Sequence, residues 1–419
     1  MSRQFPLKGL AAVFTTMTAL IATSLITGPS VAEPFSTSPC ALQRTEAHHS
    51  EGLDTWNTSY ARPTKPLDAV MVFLSFPDST PMTTPAELTA DHFPATSRFY
   101  ERASYGRFTV RPHPLDHWIR MPKPSTSYAI QRDWAASDRT AYLHDALAVA
   151  DPQVDFSRYA IVYLVADPDA PGVDSDATKV VNLDTPLRAD GTDIRRVVTV
   201  FEKHPPDRLV LAHETGHVFD LPDLYHRPVD GKGDWDTYVG DWDLMGSQFG
   251  LAPDLFAWHK WKLGWLRPQQ VVCVRGVAPT RLTLEPLSAG PGVTVGHAAG
   301  PPAFGAGTGV KLAVVRTGAD SVLAFEVRVA AGNDTSTCRE GVLVYRVRSG
   351  AASGDGPIQV IDAHPRTEAC WENSVYPALA DAPVGLGESF TVPGDGVRVK
   401  VDGRTASGSW TVTITPAPV

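Results

Sequence analysis

The sequence predicts a mixed α/β domain followed by an all-β, sandwich-like domain, and three observations carry that expectation. Two short apolar runs, residues 69–76 (AVMVFLSF) and 159–165 (YAIVYLV), fit strands buried on both faces. Between them, residues 96–103 and 140–150 carry apolar side chains at helical spacing, so strands and helices mix in the N-terminal half. Past about residue 271 the chain breaks into short runs, LAVVRT, VLAFEVRV, GVLVYRVR, VRVKVDG and SWTVTIT among them, separated by Gly, Pro and Asp. Apolar residues often alternate within these runs, the pattern of antiparallel strands packed as a sandwich.

A length of 419 residues exceeds what one compact domain usually holds, and 43% hydrophobic with 20% charged residues is the composition of a globular chain with a core. Residues 1–32 read as an export signal: Arg3 and Lys8 give a positive start, residues 10–26 are largely apolar, and Ser30-Val31-Ala32 offers small residues for cleavage. An uncleaved membrane anchor is the alternative for this run, and no other stretch is fit to span a bilayer. The expected mature chain is secreted and begins near Glu33; losing Arg3 and Lys8 takes its formal charge from −9 to −11. That sign argues against nucleic acid or an anionic membrane as a partner.

Four cysteines remain, Cys40, Cys273, Cys338 and Cys370, and an even number in an oxidising compartment points to disulfides, with Cys338 and Cys370 the favoured pair. A Cys40 thiol capping a metal in a latent precursor is the competing use. Residues 33–67 are polar, show no sustained apolar period and read as a leader or short pro-segment.

The chemistry is concentrated in the run LVLAHETGHVFDLPDLY, residues 209–225. On a helix, His213 and His217 share a face and can present two imidazole nitrogens to one ion, with Glu214 beside them as the general base. A catalytic zinc needs three protein ligands and an open position, so a third donor must follow. Asp223 is that candidate: it lies six residues after His217, the offset at which the long motif HExxHxxGxxH places its third ligand. The motif's turn residue is normally Gly, and here the position is Asp220, a residue type that tolerates left-handed geometry. Bound there, Zn2+ would activate a water for attack on a scissile carbonyl, with Glu214 taking its proton and passing it to the leaving amine.

Past these residues the sequence resembles the immune inhibitor A family of secreted zinc metallopeptidases, which are similar to metzincins. Pro222-Asp223-Leu224-Tyr225 looks like the continuation of that family's motif, and the run GDWDLMG, residues 240–246, resembles its Met-turn. By that resemblance Met245 would form the floor under the metal. The segments AWHK (257–260) and LGWL (263–266) are similar to the end of the family's catalytic domain, and the likeness covers roughly residues 69–270. It implies a broad-specificity endopeptidase, often made with a pro-segment and often stabilised by calcium.

For such a structural calcium ion, Asp234, Asp236, Asp241 and Asp243 offer oxygen donors. Tyr225 and Tyr238 read as packing aromatics with a phenol within possible reach of an oxyanion. His226 and His259 read as ordinary surface or core histidines, and Trp258 to Trp261 as part of an amphipathic helix. The expectation is therefore an α/β zincin (metzincin-like) catalytic domain over 68–270 and a β-sandwich over 271–419, acting on protein or peptide substrates. Two other functions stay open: a secreted binding protein with a structural or degenerate zinc site, and a zinc hydrolase of non-peptide amides. Oligomeric state is left open.

Overall fold

A computed structural model describes residues 38–207, 209–228, 232–290 and 307–417. The expected export signal lies outside them, and among the described residues no helix is long and apolar enough to cross a membrane. The N-terminal part is a five-stranded sheet. Its strands are β1 (Leu67–Ser75), β2 (Val110–Arg120), β3 (Ile161–Ala166), β4 (Lys179–Ala189) and β5 (Thr192–Val200), in the order β2-β1-β3-β5-β4. All neighbours run parallel except β4, which is antiparallel to β5 and closes one edge.

The apolar runs that predicted β1 and β3 are buried on both faces. Ala69, Met71 and Phe73 enter one core while Val70, Val72 and Leu74 enter the other. The second core is closed by α3 (Ala136–Ala150) through Tyr142, Leu143 and Ala146. The first is closed by α1 (Pro85–His92), α2 (Ala95–Ala103) and α4 (Val210–Val218), the helix of the histidine motif. Two elements have no counterpart among the expected ones. Strand β2 contains Pro112 and Pro114, which a sheet tolerates because the strand lies at its edge. The β4–β5 hairpin turns at Asp190 (φ 50°) and Gly191 (φ 71°), an Asp-Gly pair in the doubly left-handed turn that suits a two-residue loop.

The C-terminal half holds two sheets. One has the order β11-β10-β9-β8-β6, built from β6 (Val271–Val274), β8 (Leu312–Arg316), β9 (Ser321–Arg328), β10 (Gly341–Arg348) and β11 (Ile358–Val360). The other has the order β12-β13-β14-β7, built from β7 (Thr280–Leu284), β12 (Ser389–Thr391), β13 (Arg398–Arg404) and β14 (Trp410–Thr415). They enclose a common core containing Phe325, Val344, Val399 and Trp410. The pairing is antiparallel except for β6 with β8, which is parallel.

The first of these sheets is not half solvated. Alternate residues Val314, Val322, Ala324, Leu343 and Tyr345 leave the sandwich core and join the core of the N-terminal part. That is why its strands read as nearly continuous apolar runs, whereas β14 places Trp410, Val412 and Ile414 in the sandwich core and leaves the alternating threonines out. Residues 38–66 belong to the same shared core through Cys40, Ala41, Leu42 and Leu53. Disulfides join Cys40 to Cys273 and Cys338 to Cys370. Cys40 thus has a disulfide partner in place of a metal.

Candidate metal centre

Helix α4 crosses the core with every residue from Val210 to Val218 buried. Its two histidines are set by their second ring nitrogens: His213 Nδ1 lies 2.9 Å from the Leu244 carbonyl and His217 Nδ1 lies 2.8 Å from the Leu221 carbonyl. Nitrogens that donate to carbonyls carry the proton, so both Nε2 atoms present lone pairs. Those lone pairs face one carboxylate oxygen, Asp223 Oδ1, at 3.4 Å from His213 and 3.0 Å from His217. With both imidazoles neutral, Oδ1 is a buried acceptor without a donor. Three acceptors converging on one point call for a cation.

His213, His217 and Asp223 form the one group among the described residues that could hold a metal ion, their ligand atoms lying within 4.8 Å of one another. Two imidazoles and a carboxylate are a donor set that zinc accepts in three-ligand sites. Without a metal the positive charge comes from protons: burial opposes it, yet the Asp223 carboxylate wins and lifts the His217 pKa to about 9. The histidines in turn hold Asp223 well below the carboxylate range, although burial pushes it the other way. Metal uptake must displace those protons, so it strengthens as pH rises.

Glu214 stands beside the centre without joining the ligand group. Its Oε2 accepts the Val180 amide of β4 at 2.7 Å. Burial raises its pKa above the ordinary glutamate range, and the neighbouring Asp223 adds to that; His213, His217 and the amide offset only part. A carboxyl shifted upward in a cleft takes up a proton more readily than an ordinary glutamate.

Met245 lies under the helix. A Cβ on Gly216 would come within 2.4 Å of its Sδ, so a larger residue there would force the buried Met245 side chain to move. The turn is fixed from behind by Asp243, which accepts the Met245 amide at 2.8 Å and the Phe256 amide at 2.7 Å. Asp243 also meets His259 at 3.0 Å, and His259 meets Glu51 at 2.9 Å. His259 is therefore a buried histidine between two carboxylates. The helix carrying it, α5 (Ala257–Lys262), is buried all round, not amphipathic as expected from sequence; its Lys260 and Lys262 pair with Asp254 and Glu51.

Asp220 has φ 66°, the left-handed geometry its position demands. Its carboxylate is buried and held by the Arg44 guanidinium and by His49 Nδ1 at 2.9 Å. The His49 ring stacks on His217 at 5.6 Å, and His48 lines the cleft beside Asp223. His48 and His49, in the 33–67 segment that reads as a leader or short pro-segment, therefore line the site.

Among the residues weighed for calcium, Asp241 accepts the Leu251 and Val375 amides and the Ser374 hydroxyl, and Asp243 is engaged as above. The four aspartates do not converge as one metal-holding group. Tyr225 stacks on His213 with centroids 6.4 Å apart, while Tyr238 packs against His226 at 5.1 Å. Arg44, His49, Glu51 and Ser353, whose hydroxyl reaches Asp223, carried no sequence signal. Their partners lie more than a hundred residues away.

Two adjoining cavities open at the centre. A cavity of about 470 Å³ adjoins His213 and Glu214 and is walled by Tyr225, Trp235, Gly246 and Phe249. A second, of about 290 Å³, adjoins His217 and Asp223 and is walled by His48, Lys179 and Val180.

No known family profile matches the chain, and no curated protein matches it. Among solved structures it is similar to wild-type OgpA from Akkermansia muciniphila, over 87% of this chain and 96% of that one, with 11% identity and a TM-score of 0.28. At that score the likeness carries no argument about fold or activity, and the family resemblance rests on the motifs that suggested it.

Proposed function

We propose that the chain is a secreted zinc-dependent endopeptidase with a metzincin-like catalytic unit, hydrolysing peptide bonds in proteins. The observation that carries the reading is the convergence of His213, His217 and Asp223 Oδ1 on one point, with Glu214 beside them, buried and raised in pKa. Zinc bound there would supply Lewis-acid chemistry, acidifying water and polarising a carbonyl. Glu214 takes the proton of the attacking water and delivers it to the departing amine. Each role needs a carboxyl whose pKa lies near the working pH. The Nδ1–H bonds to Leu244 and Leu221 keep the imidazoles oriented throughout.

Two features favour a peptide over a compact amide. Among the described residues strand β4 pairs only with β5, so its outer edge can receive an extended chain by strand addition. Two adjoining cavities at the centre, both lined by Glu214, Tyr225 and Trp235, give room for an extended substrate. A non-catalytic binding protein would have no use for Glu214, because a buried carboxyl outside the ligand group is costly. Two disulfides and the apolar N-terminal run support export.

The test is hydrolysis of casein by the purified chain. Cleavage that stops on chelation and returns with one equivalent of zinc is expected; cleavage indifferent to chelation, or none from a zinc-loaded chain, would end the peptidase reading.

A further inference from the structure

Asp223 is held by the far half of the molecule. Residues 349–357 connect β10 to β11, and this loop of the C-terminal sheet reaches back across the cleft. The Ser353 hydroxyl accepts the Asp223 amide at 2.8 Å and donates to Asp223 Oδ2 at 3.1 Å. The next residue, Gly354, donates its amide to the Asp223 carbonyl at 3.0 Å. Thus the backbone N–H, the backbone carbonyl and one carboxylate oxygen are all taken by two adjacent residues. What remains is Oδ1, the oxygen that faces both histidines.

We propose that Ser353 is a positioning residue for the metal, clamping the third ligand, so that the centre is shared between the N-terminal α/β part and the C-terminal sheet. This rests on the zinc reading above. A carboxylate after a helix exit has two torsions and two equivalent oxygens, and binding a metal requires one of each. Serine is suited to the clamp because its hydroxyl donates and accepts at once. Gly354 has φ 80° with nothing within 4 Å of a would-be Cβ, so conformation and not space calls for glycine there. The loop is itself tied down, since the Ser353 amide donates to the His48 carbonyl at 3.2 Å. Three segments distant in sequence therefore meet at one ligand. Outer partners of this kind typically change metal affinity by about 10–100-fold.

The experiment is zinc affinity by chelator competition on the full chain, with near-ultraviolet circular dichroism and the thermal midpoint of the metal-free protein as folding controls. Ser353→Ala is expected to weaken zinc by about 10–100-fold with little change in the metal-free midpoint, while Ser353→Thr, which keeps the hydroxyl, retains most of the affinity. Gly354→Ala strains the turn without touching the hydroxyl and is expected to weaken zinc as well; it decides the matter if Ser353→Ala does not fold. Wild-type affinity in both Ser353→Ala and Gly354→Ala overturns the clamp and leaves the peptidase reading intact. A wild-type chain that binds no zinc overturns both.

Discussion

Asp220 stands where glycine is the usual choice, and its side chain shows what the exchange brings. A left-handed aspartate carries about 1 kcal/mol of strain relative to glycine, yet its carboxylate anchors Arg44 and His49 of the N-terminal segment. Burial pushes the Asp220 pKa up, but Lys262, His49 and Arg44 outweigh it and bring it down to about 2. Two outcomes are then distinguishable. If backbone strain dominated, Asp220→Gly would stabilise the chain by about 1 kcal/mol. If the contacts to Arg44 and His49 dominate, as the burial of Asp220 and His49 implies, the same change costs about 1–3 kcal/mol, because it leaves buried His49 and partly exposed Arg44 without their partner. Urea unfolding of the zinc-loaded protein decides between them. The turn geometry at Asp220 was legible from residue type, but its partners were not, since nothing local links residue 220 to residues 44 and 49.

Helix α5 shows the same division at the scale of an element. The run AWHKWK has the composition of a surface helix, and a sequence pattern cannot reveal that carboxylates from elsewhere neutralise its polar face. In the fold, Glu51 comes from the N-terminal segment, Asp243 from the turn that carries Met245 and Asp254 from the loop before the helix. The consequence is a pH dependence. Burial lowers the His259 pKa, but Glu51 and Asp243 overcome it and raise it to about 9. A raised histidine stabilises the fold fully below its ordinary 6.5 and loses that contribution as pH rises through about 9. With zinc bound, so that His213 and His217 do not titrate, thermal stability is expected to fall between pH 6.5 and 9. A flat profile there would contradict the charged His259 bridge. The strands β1 and β3 were readable because both faces are buried in one run, whereas β2 was hidden by its prolines and the β4–β5 hairpin by its mixed polarity.

At the scale of the whole molecule, sequence divides the chain more sharply than packing does. The composition shifts near residue 271, yet the sheet beyond it buries one face on the sandwich and the other on the α/β part. The segment before residue 67 looks like a leader by polarity, but it closes the site with His48 and His49 and is tied by Cys40 to Cys273. The motif residues His213, Glu214, His217 and Asp223 were legible because a helix period and one fixed offset bring them together. The walls were not, because they come from both ends of the chain. The proposed hydrolytic chemistry of this shared site has Glu214 as its base, and the Glu214→Gln variant is its sharpest test. On one preparation, zinc content and casein hydrolysis are measured together. Zinc is expected one to one as in wild type, with turnover reduced by at least about 1,000-fold. Full zinc with turnover near the wild-type rate would contradict it.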